Sequence, residues 1–209
     1  MEHAERKKHW ENIYQTKDFK DVSWFQEKPE TSLSFLKEFD VPKNAKIIDI
    51  GGGDSYFVDN LLDLGYDDIT VLDISAKAIE KAQLRLGEKA TKVKWIVADA
   101  ANFKSKEKYD FWHDRAAFHF FTEEKDISNY IKIIKKNISN AGVLILGTFS
   151  EQGPTKCSGI EIKQYSESSM TERLNQFFKK IKCISVEHIT PFETIQNFVF
   201  CSFKKIKTT

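Results

Sequence analysis

The chain has 209 residues, enough to bury one substantial core and too few for two comfortable domains. Its 32 basic and 31 acidic side chains nearly cancel, which removes the one-signed field that nucleic-acid binding relies on. No apolar stretch approaches the length of a membrane span, and Cys157, Cys183 and Cys201 offer neither a Cys-x-x-Cys nor a disulfide framework. A reducing, cytoplasmic setting is expected, with no nucleic acid or membrane as partner.

The charged start, Glu2 to Lys8, leads into a predicted helix over residues 5–15 that sets Trp10, Ile13 and Tyr14 on one side. A second helix over 29–39 opens on Pro29, a residue suited to the first helical position. Between them lies Val22-Ser-Trp-Phe25. These aromatic residues precede the first strand and must cover something. Residues 1–40 are read as a helical lid over a ligand and 41–209 as a catalytic core, within one domain; packing against a sheet edge is the alternative.

Lys46-Ile-Ile-Asp-Ile-Gly-Gly-Gly-Asp-Ser55 organises the remainder. Ile47, Ile48 and Ile50 suit a strand buried on both faces, and the glycines let the backbone turn and a ligand approach the main chain. Residues 55–64 then show helical spacing before Gly65. A dinucleotide fingerprint, G-x-G-x-x-G, fails here because its third glycine falls on Tyr56. Asp-x-Gly-x-Gly-x-Ser, Asp49 to Ser55, instead suits a ligand carrying an ammonium and no phosphate. It resembles motif I of the class I S-adenosylmethionine (SAM) dependent methyltransferases. The resemblance implies Asp49 near the methionine end of SAM and the amides of Gly51 and Gly53 beside the carboxylate and ribose. A bare tight turn is the competing reading.

Ile69 to Asp73 is the second predicted strand. Its terminal acid, twenty residues past Gly53, is placed with Ile74 to accept the ribose hydroxyls of an adenosine-bearing ligand, unless it merely caps the next helix. That helix spans 75–86, with Ser75 as another candidate cap and Gly87 as the stop. The third strand, 93–98, is followed by Asp99 and Ala100. In the methyltransferase pattern this acid faces the adenine amino group and a neighbouring amide faces a ring nitrogen. Three acids thus fall at the carboxyl ends of three successive strands, where open α/β sheets bind ligands.

Strand four, 109–113, runs into Asp114-Arg-Ala-Ala-Phe118. Together with Pro154-Thr-Lys-Cys-Ser-Gly159 and, more loosely, the Trp10 and Tyr14 region, it resembles the thiopurine methyltransferase family. That resemblance implies that Arg115 contacts substrate and that Trp10 or Trp24 closes over SAM. The chain departs from that family in its Asp-x-Gly-Gly-Gly motif and in carrying His113 where the family has tryptophan, so thiopurine chemistry is not implied. His113, Asp114 and Arg115 are the candidate catalytic residues, His113 as a general base or as a satisfied pocket histidine. No metal is expected, because His113 and His119 lack further ligands at suitable spacing.

A helix over 122–137, a fifth strand over 141–149, a polar loop, a helix over 166–178 and strands over 181–190 and 194–204 complete the chain. The predicted fold is α/β: a three-layer, Rossmann-like sheet of seven mostly parallel strands, order 3-2-1-4-5-7-6, with strand seven antiparallel. The expected activity is SAM-dependent methyl transfer to a small-molecule acceptor. A protein lysine methyltransferase acting on a translation-type factor and a SAM-binding scaffold without turnover are the alternatives. The oligomeric state is left open.

Overall fold

Parallel pairing starts where β-branched residues are densest. In the computed structural model, which describes residues 3–206, Lys46–Ile50 forms β1, with Ile47 and Ile48 wholly buried. Glu2 in the charged start and Lys207 in the final basic run lie outside the described residues. β1 pairs in parallel with β2 (Asp68–Asp73), Ile47 opposite Ile69, and with β4 (Tyr109–Arg115), Ile47 opposite Phe111. β3 (Val93–Val97) lies outside β2, and β5 (Ile138–Phe149) lies beside β4.

In the loop after β5, β6 (Lys156–Cys157) and β7 (Ile160–Glu161) form a small separate ladder that the sequence reading took for plain loop. Positive φ at Ser158 and Gly159 turns the chain between them. The sheet closes with β8 (Phe178–Ile189) at the edge and β9 (Ile195–Lys205) antiparallel to β5. The order 3-2-1-4-5-9-8 is the expected one once the two small strands are counted.

Two apolar layers hold the sheet. On one face Ile48, Trp112 and Leu144 meet Tyr130 and Ile134 of α5 (Glu124–Asn137) and Met170 of α6 (Glu167–Leu174). On the other, Ile47, Phe111 and Ile145 meet Phe35 of α2 (Glu30–Glu38) and Phe57 and Leu61 of α3 (Phe57–Asp63). Each such side chain contributes roughly 1.5–3 kcal/mol through removal from water. α6 ends four residues before the predicted helix does, because Phe178 is taken into β8 opposite Lys205 and buried there.

α1 (His3–Thr16) packs on α4 (Ala76–Leu86). Its side chains tie it to the ends of strands rather than to the sheet edge. The cysteines depart from expectation: Cys183 and Cys201, directly opposed on β8 and β9, form a disulfide, and Cys157 is free and buried. Their pairing depends on strand register, which spacing alone does not reveal.

Candidate functional site

The turn after β1 opens a cavity over the carboxyl ends of the central strands. Gly51 takes φ of +66°, a region that side chains beyond glycine rarely adopt, and its amide donates to Leu72 O at 2.7 Å. Gly51, Gly52 and Ser55 line the cavity. Gly53, read from sequence as a ligand contact, is outside that lining. At φ of +41° it stands where a Cβ would lie 2.8 Å from Asp73 Oδ2 and 2.9 Å from the Tyr14 hydroxyl, so its smallness lets lid and acid close together. Tyr56 leaves the bend open: its ring lies under the Arg85 guanidinium, 4.3 Å away.

The three acids converge as expected. Asp49, Asp73 and Asp99 all line this one cavity, with Ile74 and Ala100 beside the second and third. Asp73 Oδ1 accepts the Ser75 amide at 2.8 Å, while Ser75 Oγ caps α4 by accepting from Ala78. Burial drives the Asp73 pKa up to about 7 against that amide bond, and the charges of Asp49 and Glu11 add to the rise. Asp99 Oδ1 accepts the Ala101 amide at 2.9 Å and Oδ2 accepts from Arg6 Nη2 at 3.0 Å. Arg6 also bonds Asp126, spanning from α1 to the start of α5.

The candidate catalytic trio divides. Alternation along β4 sends His113 and Arg115 to the cavity side and Asp114 to the other. His113 Nδ1 lies 2.7 Å from Asp49 Oδ1 and Nε2 lies 2.8 Å from Ser32 Oγ, so both ring nitrogens are engaged and the ring positions Asp49. Asp114 is corrected: it is fully buried outside the cavity lining, accepting from the Tyr130 hydroxyl at 2.5 Å and from the amides of Ala117 and Phe118. It fixes the turn after β4 and does not line the cavity. Burial raises its pKa to about 6 despite those donors.

Arg115 reaches the cavity beside Trp24 and Phe198. Its Nη1 donates to Trp24 O at 3.1 Å and its guanidinium carbon lies 5.5 Å from the Phe198 ring centroid. Nη2 is sealed from water without a hydrogen-bond partner among the described residues. Burial lowers its pKa to about 10. His119 lies outside the lining, its Nδ1 accepting the Phe149 amide and its pKa lowered to about 3 by burial. The two histidines therefore do not share one site.

Trp10, Tyr14 and Trp24 also line the cavity. Trp10 meets Trp24 at 5.9 Å and Phe120 at 5.0 Å, both edge to face. Sequence reasoning missed what locks this cover. Glu11 accepts the amides of Ala76 and Lys77 and the Ser75 hydroxyl, capping α4 from the opposite element. Burial opposes its ionisation, but those three donors prevail and hold its pKa below the usual value. Arg85 of α4 was missed too: it bonds the carboxylates of Asp54 and Asp59 and the carbonyls of Asp54 and Ser55, fixing the glycine turn. No short motif links residues so far apart.

The architecture has counterparts among known proteins. Residues 47–142 match the family model described as a methyltransferase domain. Malonyl-[acyl-carrier protein] O-methyltransferase of Acetivibrio thermocellus is 28% identical over 134 residues, covering 64% of this chain and 46% of that protein. The enzyme of the same name from Anoxybacillus flavithermus is 32% identical over 108 residues, 51% of this chain and 39% of its own. The chain spans less than half the length of these relatives. Among solved structures, the N-methyltransferase NodS of Bradyrhizobium japonicum, in complex with S-adenosyl-L-homocysteine, superposes with a TM-score of 0.73 at 14% identity, covering 96% of this chain and 99% of that one. The 1,6-didemethyltoxoflavin-N1-methyltransferase of Burkholderia thailandensis gives 0.76 at 16% identity, covering 98% and 88%.

Residues 47–142 resemble a methyltransferase domain, carried on the fold of these solved methyltransferases. The matched residues, 47–142, hold the glycine turn, all three acids and Arg115. The tryptophans of the cover and Phe198 lie outside them, so the wall beside Arg115 is built largely from parts of the chain that the family model does not describe.

Proposed function

We propose that the cavity binds SAM and that the chain moves its methyl group to a small-molecule acceptor through an S, N or O nucleophile. The observation that carries this is the meeting of Asp49, Asp73 and Asp99 around the glycine turn, inside a cavity of about 1070 Å³ including its mouth. In this reading Asp73 accepts the ribose hydroxyls beside Ile74, and Asp99 accepts the adenine amino group next to the Ala100 amide. Asp49, steadied by His113 and Ser32, faces the amino-acid end beside Gly51. The sulfonium supplies a methyl carbon that is already electrophilic. The protein's work is to align, dehydrate and enclose the reactants.

Residues 1–40 act as the lid, with Trp10, Tyr14 and Trp24 excluding water, and the remainder as the core. The thiopurine methyltransferase-like segments supply Arg115 and Cys157 to the acceptor side, without implying thiopurine as substrate. Among the described residues no helix is long and apolar enough to cross a membrane. The test is lysate incubated with methyl-labelled SAM and fractionated by size. Label in the small-molecule fraction supports the reading. Label confined to macromolecules would favour the lysine methyltransferase alternative, and saturable SAM binding with no label anywhere would favour the scaffold.

A further inference from the structure

Arg115 is a buried cation without a counter-ion. Among the described residues no carboxylate lies within ion-pair distance, Nη1 is satisfied only by the Trp24 carbonyl, and Nη2 donates to nothing. Burying an unpaired guanidinium N–H is costly, and such a group persists where a ligand completes it. Its setting matches that of a ligand group: it lines the cavity on the acceptor side, against Phe198 and Trp24.

The acceptor side of the cavity is poor in proton acceptors, since the three carboxylates that line it, Asp49, Asp73 and Asp99, are assigned to SAM in the reading above. His113 is the one lining histidine among the described residues, and its two nitrogens are held by Asp49 and Ser32. Cys157 and Tyr14, which also line it, are both held in their neutral forms by burial. An ammonium acceptor would meet the charge of Arg115 and, with those carboxylates engaged by SAM, find no uncommitted group to take its proton. An acceptor that is already an anion at neutral pH needs neither. A carboxylate also presents two coplanar oxygens to the flat guanidinium fork, the geometry that arginine binds best.

We propose that the methyl acceptor is a carboxylate, held by Arg115 and converted to its methyl ester. The inference rests on the methyltransferase reading above and narrows it. A carboxylate oxygen lone pair forms the new bond to the methyl carbon as the carbon–sulfur bond breaks. The bonding pair goes to sulfur, giving the neutral thioether S-adenosylhomocysteine. No proton is taken up or released, so no base is required. One carboxylate oxygen stays on Arg115 while the other reacts, and loss of the acceptor's charge in the product loosens the guanidinium's hold and favours release.

The test uses the full chain saturated with S-adenosylhomocysteine, titrated by calorimetry with benzoate and malonate and with the matching amides. Carboxylates are expected to bind at least about tenfold more tightly than the amides. Arg115→Met should abolish that preference, and Arg115→Lys should restore part of it, with affinity for S-adenosylhomocysteine unchanged in both. The wild type is then incubated with methyl-labelled SAM and a small-molecule extract, and the products are treated with alkali, which frees ester methyl as volatile methanol. Alkali-released label is the expected result. Label surviving alkali, or equal binding of amides and carboxylates, would overturn the carboxylate assignment alone. Absence of any SAM or S-adenosylhomocysteine binding would overturn the methyltransferase reading beneath it.

Discussion

Asp73 is a buried carboxyl whose ionised form is unfavourable in the ligand-free protein. Its pKa of about 7 lies above the ordinary carboxylate value of 3.8, so the folded state binds this proton more tightly than the unfolded chain does. The associated stability is fully present below about pH 4 and is lost as pH rises through 7, in total roughly 4 kcal/mol at about 1.4 kcal/mol per pH unit. Ligand-free protein should therefore melt higher at pH 5.5 than at pH 8. Asp73→Asn keeps an acceptor for the Ser75 amide and removes the buried charge, so it should flatten that slope and raise stability at pH 8 by on the order of 1–3 kcal/mol. The same variant should weaken SAM binding at least tenfold, since a carboxamide offers one oxygen where two hydroxyls seek acceptors. Melting curves and SAM titrations on one preparation check both; a variant that neither gains stability nor loses affinity would show that this acid does not face the ribose. Ribose donors favour the ionised form, so SAM binding near pH 6 should also release protons, measurable by calorimetry in buffers of different ionisation enthalpy.

The helices carry the devices that turn a sheet edge into an enclosed site. Glu11 caps α4 from α1, so covering the cavity and finishing that helix are one set of hydrogen bonds. Glu11→Ala removes three acceptor contacts and should cost about 0.5–2 kcal/mol, comparable to losing an N-cap. The loss falls on α1: amide exchange should rise across residues 3–16 and SAM should dissociate faster, while β1 and β4 exchange as before. Arg85→Ala should act on the other side of the ligand, loosening the turn at Asp54 and Ser55 and lowering SAM affinity severalfold with the core intact. The acids at strand ends were legible because a strand, a bend and a carboxylate are contiguous in the chain. Ser32 and Arg6 were not, since they meet His113 and Asp99 across 81 and 93 residues. Asp114 shows the converse failure. A residue beside two cavity-facing neighbours points the other way because strand side chains alternate, and its position after the true β1 partner register was what settled its face.

The whole sheet divides into a parallel half whose strand ends carry the cavity acids and an antiparallel half that closes the edge. The order of its strands was expected from the resemblance to class I methyltransferases, while periodicity marked the individual strands and the final antiparallel pair. What composition misjudged was the thiols. Cys183 and Cys201, 18 residues apart, are brought opposite one another by the hairpin register that also pairs Ile184 with Phe200. Protein denatured without reductant should accordingly expose one titratable thiol, from Cys157, and protein denatured after reduction should expose three. Closing a loop of this size stabilises a fold by about 3 kcal/mol in the chain-entropy description. Reduction should therefore lower the melting temperature while leaving SAM affinity within twofold, because the acids proposed to bind SAM lie on β1, on β2 and just past β3, away from the β8–β9 edge. Three thiols without reductant would show the pair to be open in solution. A fall in SAM affinity on reduction would show that the antiparallel edge communicates with the acids through β5 and Arg115, and the acceptor wall at Phe198 would then be the place to look for the coupling.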